Sequence, residues 1–299
     1  MWWISIALAG TAPVAVEGPD GPGCEAGDGA ACTRLGVAYA NGKDGVPADP
    51  FIAGRFFRQG CEAEDANGCM YLAEAYRRGT GVLVDATRAP ELYERACELG
   101  AGLGCRSVAD LVVLGSVPDA APDAAGGWYA RGCALGDAQS CTAAGLDIER
   151  DGDTATSLPL LERGCNLGHA RACTLLGVRY GKGSDGARRS PGAAIEWYRK
   201  GCALRPFDPE SCREVGWAEY TALESKDPAS GRQAWDHLDE ACYRNDTLAC
   251  RYLARVAVDW DQPSEALMAA ERACDLGDVP ACRLKDRLLM QAARAFTLP

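Results

Sequence analysis

The chain has 299 residues, of which 16 are cysteine and only two are histidine. Charged residues make up 24% and hydrophobic residues 47%, a balance that excludes both a disordered chain and one embedded in a membrane. The net charge of −11 at pH 7 argues against nucleic acid and anionic lipid as partners. Because two histidines almost exclude a histidine-based metal centre, we expect no metal ion and no cofactor.

The cysteines form a repeat that runs through the whole chain. They fall in eight pairs: Cys24/Cys32, Cys61/Cys69, Cys97/Cys105, Cys133/Cys141, Cys165/Cys173, Cys202/Cys212, Cys242/Cys250 and Cys274/Cys282. Seven pairs are C-x7-C and one is C-x9-C, and successive pairs begin 32 to 40 residues apart. This period is typical of a solenoid, in which each unit packs mainly on its neighbours.

Each unit carries the pattern of two helices. An apolar residue lies three positions after the second cysteine and a small residue four positions after it, as in Leu35-Gly36 and Leu176-Gly177. These offsets describe one face of a first helix. Large apolar residues four positions before the next cysteine mark a second helix, and glycines such as Gly168 are expected at its C-terminus.

These patterns predict fifteen helices and no strand. In chain order the helices cover residues 29–41, 48–63, 66–78, 87–99, 102–115, 122–135, 138–149, 155–167, 170–180, 190–204, 209–222, 228–244, 247–259, 263–276 and 279–295. In the last one Lys285-Asp286 replaces the apolar–small pair, as expected of a terminal cap. We predict an all-α fold, a right-handed α/α solenoid of antiparallel helix pairs, forming one domain at 24–299 with seven repeats and the capping helix.

A recurrent motif in the units resembles a known repeat. The pattern A-C-x-x-L-G-x-x-Y-x-x-G, then G-V-x-x-D, then x-x-Y-x-x-x-C-x-x-G is similar to the SEL-one-like repeat, a relative of the tetratricopeptide repeat. The resemblance is clearest at 31–61 and 68–100 and covers 24–290. The paired cysteines resemble the cysteine-rich secreted bacterial branch of that family.

Two disulfide pairings are geometrically open. The end of a second helix lies near the start of the next first helix, as in Cys61–Cys69, and near the start of its own partner, as in Cys32–Cys61. The second scheme leaves Cys24 and Cys282 without partners. The nearly constant C-x7-C gap favours the first, since bonded cysteines need Cα atoms within about 7 Å. We predict one local structural disulfide per repeat, because zinc and redox sites use shorter spacings.

The N-terminus contains a short apolar run. Residues 1–15 are predicted to be a secretory signal peptide that lacks Lys and Arg, and 16–23 a linker. The alternative is a disordered apolar tail. No other segment approaches 18 apolar residues, so we expect no transmembrane segment. Disulfides and a signal together predict a periplasmic or secreted protein.

The sequence offers little catalytic chemistry, and we identify no catalytic residue. The family resemblance implies one alternative, a β-lactam-binding or β-lactam-hydrolysing protein. A serine β-lactamase needs S-x-x-K, but no serine here has lysine three residues on, and Ser225-Lys226 are adjacent. His169 and His237 are isolated in the sequence. The prediction therefore leans toward a non-catalytic scaffold.

The first helices of such solenoids line a concave surface. Offsets 1, 5 and 8 from the second cysteine avoid the core positions, and in the C-terminal third they carry arginines and aromatics. These are Arg213, Trp217, Tyr220, Arg251, Arg255, Arg283 and Arg287. We predict that a monomeric chain binds a protein or peptide here, preferring acidic or C-terminal carboxylate groups. The alternative is that these arginines pair with surface acids such as Glu214, Asp259 and Asp286.

Overall fold

The structure is a computed structural model that describes residues 19–295, except 86, 118–119, 122, 184–185 and 225–226. The predicted signal peptide at 1–15 lies outside the described residues. The described residues form sixteen α-helices, and the chain divides into two compact units. We call residues 1–128 unit 1 and residues 129–299 unit 2.

Unit 1 consists of antiparallel helix pairs in chain order. Its helices are α1 (Gly21–Glu25), α2 (Gly29–Asn41), α3 (Pro50–Glu62), α4 (Ala66–Arg78), α5 (Arg88–Glu98) and α6 (Gly102–Val113), and α7 (Ala124–Ala134) spans the division. Each of α2 to α5 packs against the next helix in the chain, and α2 also packs against α4.

Unit 2 also consists of helix pairs in chain order. Its helices are α8 (Ala138–Arg150), α9 (Thr154–Asn166), α10 (Ala170–Lys182), α11 (Pro191–Ala203), α12 (Pro209–Ala222), α13 (Arg232–Tyr243), α14 (Thr247–Asp259), α15 (Pro263–Asp275) and α16 (Val279–Ala295). Consecutive helices from α8 to α16 pack together, and α12 packs against both α10 and α14. The all-α fold of packed helix pairs is thus confirmed.

Helix boundaries lie within two residues of the predicted ones, with two exceptions. The predicted bounds hold without change for α2, α4, α12, α14 and α16. Helix α13 begins four residues later than predicted, because the Asp227 carboxylate accepts hydrogen bonds from Ala229 N and Ser230 N and holds a turn there. The five-residue α1 was not predicted; it is a single turn that packs on α2.

The apolar–small pair forms the core of each repeat, as α2 illustrates. Leu35 is buried, and a Cβ atom added at Gly36 would lie 2.6 Å from the Phe57 ring of α3. The absence of a side chain at Gly36 therefore lets α3 approach α2. Such close contact makes the spacing of paired helices sensitive to a single methyl group.

Eight disulfides join neighbouring repeats at the local spacing. They are Cys24–Cys32, Cys61–Cys69, Cys97–Cys105, Cys133–Cys141, Cys165–Cys173, Cys202–Cys212, Cys242–Cys250 and Cys274–Cys282. Their Cα atoms lie 4.3 to 4.8 Å apart, and no cysteine is free. A chain with eight such bonds suits an oxidising environment. Within the described residues, no helix is both long and apolar enough to cross a membrane.

Candidate functional site

The helix that contains the second cysteine of a disulfide is the first helix of its repeat, as α2 with Cys32 and α4 with Cys69 illustrate. In unit 1 the first helices α2 and α4 lie side by side, and in unit 2 α10, α12 and α14 do the same. Side chains that point away from the second helices therefore share one surface within each unit.

The surface between α2 and α4, which we call the α2–α4 face, has an apolar centre. Val37 of α2 and Tyr71 of α4 both line two adjoining cavities of about 590 and 270 Å³. Tyr71 is 45% exposed, and its ring stacks on that of Phe57 with centroids 5.0 Å apart. The stack fixes the exposed ring in place, so the face is organised before any partner binds.

Glu74 closes one edge of the α2–α4 face. Its carboxylate accepts hydrogen bonds from Arg77 at 2.7 Å and from the Tyr93 hydroxyl at 2.9 Å, and it pairs with Arg78. The Arg77 hydrogen bond is the main reason that the pKa of Glu74 falls to about 2. Burial, followed by the contact with Glu74, raises the pKa of Tyr93 to about 12. Glu74 is therefore a fixed negative charge rather than a group that exchanges protons near neutral pH.

Unit 2 carries a comparable aromatic pair on its first helices. The Trp217 ring of α12 stacks on the Tyr252 ring of α14, with centroids 4.3 Å apart. Both rings are half-buried. We call this surface the α12–α14 face. Trp217 was predicted to line the groove, whereas its stacking partner Tyr252 was missed because it lies two positions after its cysteine, outside the selected offsets.

Arg213 was predicted to line the groove, but in the structure it is engaged in ion pairs within the chain. Its guanidinium donates to Asp246 Oδ2 at 2.8 Å and to Glu214 Oε1 at 2.8 Å, and Glu210 lies 3.4 Å away. The side chains of Arg213 and Asp246 are each only 11% exposed. Arg213 therefore links α12 to the start of α14, and its charge is already neutralised.

The same link recurs in neighbouring repeats at the position after the second cysteine. Thr174 donates to Asp208 Oδ2 at 2.8 Å, and Arg251 pairs with Asp278 Oδ2 at 3.1 Å. Asp208 immediately precedes the next first helix, α12, and Asp278 precedes α16. This position ties one first helix to the N-terminus of the next, which explains why its polar side chains are engaged within the chain.

Tyr220 lies in the core, which corrects its assignment to the groove. The residue is 1% exposed, and its hydroxyl donates to Asp259 Oδ2 at 2.8 Å. Burial is the main cause that raises the pKa of Tyr220, followed by the hydrogen bond to Asp259. Tyr220 follows the small Gly216 by four positions and occupies the core position that Tyr39 and Tyr76 fill one residue earlier in their repeats.

The remaining predicted arginines stay on the surface. Arg255 is 67% exposed and pairs with Asp259 at 3.2 Å on its own helix. Arg283 and Arg287 of α16 are exposed, and neither forms an ion pair with the other described residues. The predicted alternative, pairing with surface acids, thus holds for Arg213 with Glu214 and for Arg255 with Asp259, but Asp286 takes no part in it.

Both histidines contact a polar side chain of a neighbouring helix or helix end. His169 Nδ1 lies 2.6 Å from the Thr142 hydroxyl, and His237 Nδ1 lies 2.8 Å from Glu219 Oε2. In the part of the chain that the structure describes, no group of three or more His, Cys, Asp or Glu residues is arranged to hold a metal ion.

Comparison with known proteins identifies the repeat. The family model of the Sel1 repeat matches residues 29–65, 66–100 and 170–205. No curated protein matches the sequence. Two solved structures share the fold at 22% identity: a protective antigen of uropathogenic Escherichia coli with an SLR fold, at a TM-score of 0.70, and a Sel1 repeat protein from Oxalobacter formigenes, at 0.60.

The two relatives differ in how much of their length is matched. The first alignment covers 90% of this chain but 58% of the antigen, and the second covers 72% of this chain and 88% of its relative. This chain thus spans little more than half of the antigen. The chain thus contains three Sel1 repeats, at residues 29–65, 66–100 and 170–205, and shares the SLR fold, with disulfides at the repeat spacing.

Proposed function

We propose that the chain is a non-catalytic scaffold that binds a protein or peptide on its first helices, in the periplasm or outside the cell. Sel1 repeats belong to the helical solenoids, which use extended surfaces of this kind for binding. The observation that carries the proposal is the α2–α4 face, where Val37 and the exposed Tyr71 lie over two adjoining cavities.

The chemistry of the two faces favours an apolar anchor on the partner. Exposed aromatic rings held by stacking are typical centres of binding energy, because they bury a large area without losing much side-chain entropy. Tyr71 in unit 1 fits this description, and the half-buried Trp217 in unit 2 is also held by a stack. The ion pairs of Arg213 and Arg251 leave Arg283 and Arg287 as the groups for a carboxylate on the partner.

Site-specific photo-crosslinking tests the proposal. A photoreactive phenylalanine analogue is placed at Tyr71 or, as the control, at Leu83, which is 90% exposed in the loop after α4. In cells that produce the oxidised protein, position 71 should yield one discrete cross-linked product and position 83 none. Equal labelling at both positions, or labelling at Leu83 alone, would contradict the assignment of the α2–α4 face.

Alanine variants provide the quantitative version of this test. Tyr71→Ala removes the exposed ring and should weaken binding of the cross-linked partner by roughly 2 kcal/mol, a value typical of an interface hot spot. Leu83→Ala should leave the affinity unchanged. Thermal unfolding of both variants separates lost binding from the small loss of stability expected when the Tyr71–Phe57 stack is removed.

A further inference from the structure

A third cavity in unit 1 lies on another side of α4, between α3 and α5. We call it the α3–α5 cavity; its volume is about 460 Å³. It is lined by Arg58, Cys61, Glu62, Leu72, Tyr76, Arg88, Glu91, Leu92 and Arg95. Three arginines around one cavity are unusual in a chain whose net charge is −11.

The polar centre of the cavity is the Tyr76 hydroxyl. Its oxygen accepts hydrogen bonds from Arg58 at 3.2 Å and from Arg88 at 3.3 Å. Tyr76 is only 7% exposed, and its own hydroxyl proton has no acceptor among the described residues. Three donors therefore converge on one point: two guanidinium groups and a phenol whose proton is unpaired. A ligand oxygen bound in the cavity would accept the hydroxyl proton.

The charges around this centre are only partly neutralised. Arg88 pairs with Asp85 at 3.2 Å, whereas Arg58 and Arg95 form no ion pair within the described chain. Glu62 and Glu91 also line the cavity without pairing to these arginines. The cavity thus presents positive charge at its centre and carboxylates beside it, while Leu72 and Leu92 supply an apolar wall.

We propose that the α3–α5 cavity binds the carboxylate of a small zwitterionic ligand, an amino acid or a short peptide. A carboxylate offers the acceptor oxygens that Arg58, Arg88 and Tyr76 require, and guanidinium groups bind it with charge-assisted hydrogen bonds. Glu62 and Glu91 disfavour a doubly charged phosphate by repulsion and accept the ligand's ammonium group instead. The apolar wall suits an aliphatic side chain. This site is separate from the α2–α4 face and does not depend on it.

Calorimetric titration at low salt tests the proposal with defined probes. The probes are leucine, the dipeptide leucyl-leucine, the C-terminal amide of that dipeptide, and inorganic phosphate. The free carboxylate should make leucyl-leucine bind about 10-fold more tightly than its amide, since a hydrogen bond to a charged group contributes at least a factor of this size. Comparison of leucine with the dipeptide shows whether the site takes a free amino acid or a peptide end.

Variants assign the binding to the named side chains. Tyr76→Phe keeps the ring in place and removes only the hydroxyl, so it should weaken dipeptide binding by about 10-fold. Arg58→Ala should weaken it at least as much. Arg55→Ala is the matched control, because Arg55 is exposed on the same helix but lies outside the cavity. Equal binding of the dipeptide and its amide, tighter binding of phosphate, no binding at all, or an unchanged affinity in Arg58→Ala would each overturn the proposal.

Discussion

Arg213 provides the sharpest test of how the repeats are held together. Its side chain contacts Asp246, Glu214 and Glu210, and both Arg213 and Asp246 are nearly buried. Replacement by alanine leaves a carboxylate in a partly desolvated position at the start of α14. The variant should therefore lose stability, whereas replacing an exposed arginine of a binding groove by alanine would barely change the free energy of unfolding.

The expected loss follows from the burial of the pair. Removing one partner of a fully buried ion pair costs about 3–5 kcal/mol. Asp246 keeps its hydrogen bond from Ala249 N at 2.8 Å, which lowers the penalty of leaving it charged. We expect Arg213→Ala to reduce the free energy of unfolding by roughly 2–3 kcal/mol. The exposed pair Arg255–Asp259 should contribute only about 0.3–0.5 kcal/mol.

Urea unfolding of Arg213→Ala, with Arg255→Ala as the control, measures both values. A second background, Asp246→Asn, sharpens the assignment because asparagine caps a helix about as well as aspartate but carries no charge. The cost of Arg213→Ala should fall by about 1–2 kcal/mol in that background, as expected for side chains in direct contact. Equal costs for the Arg213 and Arg255 variants, or an unchanged cost in the Asp246→Asn background, would refute the link between α12 and α14.

Two further perturbations have defined outcomes. Replacing both Cys165 and Cys173 by alanine removes a disulfide of sequence separation 8. The loop-entropy model predicts that the free energy of unfolding falls by about 2.5 kcal/mol, measured by urea unfolding under oxidising conditions. An unchanged free energy of unfolding would contradict a structural role for this disulfide. The pKa of Glu74 is depressed to about 2, so its contribution to stability is present above pH 4.5 and is lost as the pH falls toward 2. The thermal midpoint of the unmodified protein should therefore approach that of Glu74→Gln over this interval, and a constant difference between them would count against the ion pair.

The helices and the disulfides were predictable because the interactions that define them are local. A helix face repeats every three to four residues, and Asp28, Asp65 and Asp137 each accept hydrogen bonds from backbone amides within the next three residues. The bonded cysteines of each pair lie eight or ten residues apart, across a single turn between helices. The short α1 escaped prediction because one turn has no periodicity to recognise.

The functional surfaces were only partly predictable. Trp217 was found from its offset, but its stacking partner Tyr252 belongs to the next repeat, where the same face begins two residues after the cysteine. The predicted groove lay in the C-terminal third, so the α2–α4 face and its exposed Tyr71 were not among its residues. A fixed set of offsets describes one helix, whereas a shared face is built from different offsets on two helices.

The sequence alone thus determined the repeat period, the helix pairs and the disulfide framework of this protein. Only the tertiary structure decided which polar and charged side chains have a partner within the chain. Arg213 forms an ion pair with Asp246 of the next repeat, and Arg58 donates a hydrogen bond to Tyr76, 18 residues away. Tyr220 is buried in the core although it lies one position beyond the usual core offset. Helix formation depends on neighbours within a turn, but the partner of a long side chain depends on how the next repeat packs beside it.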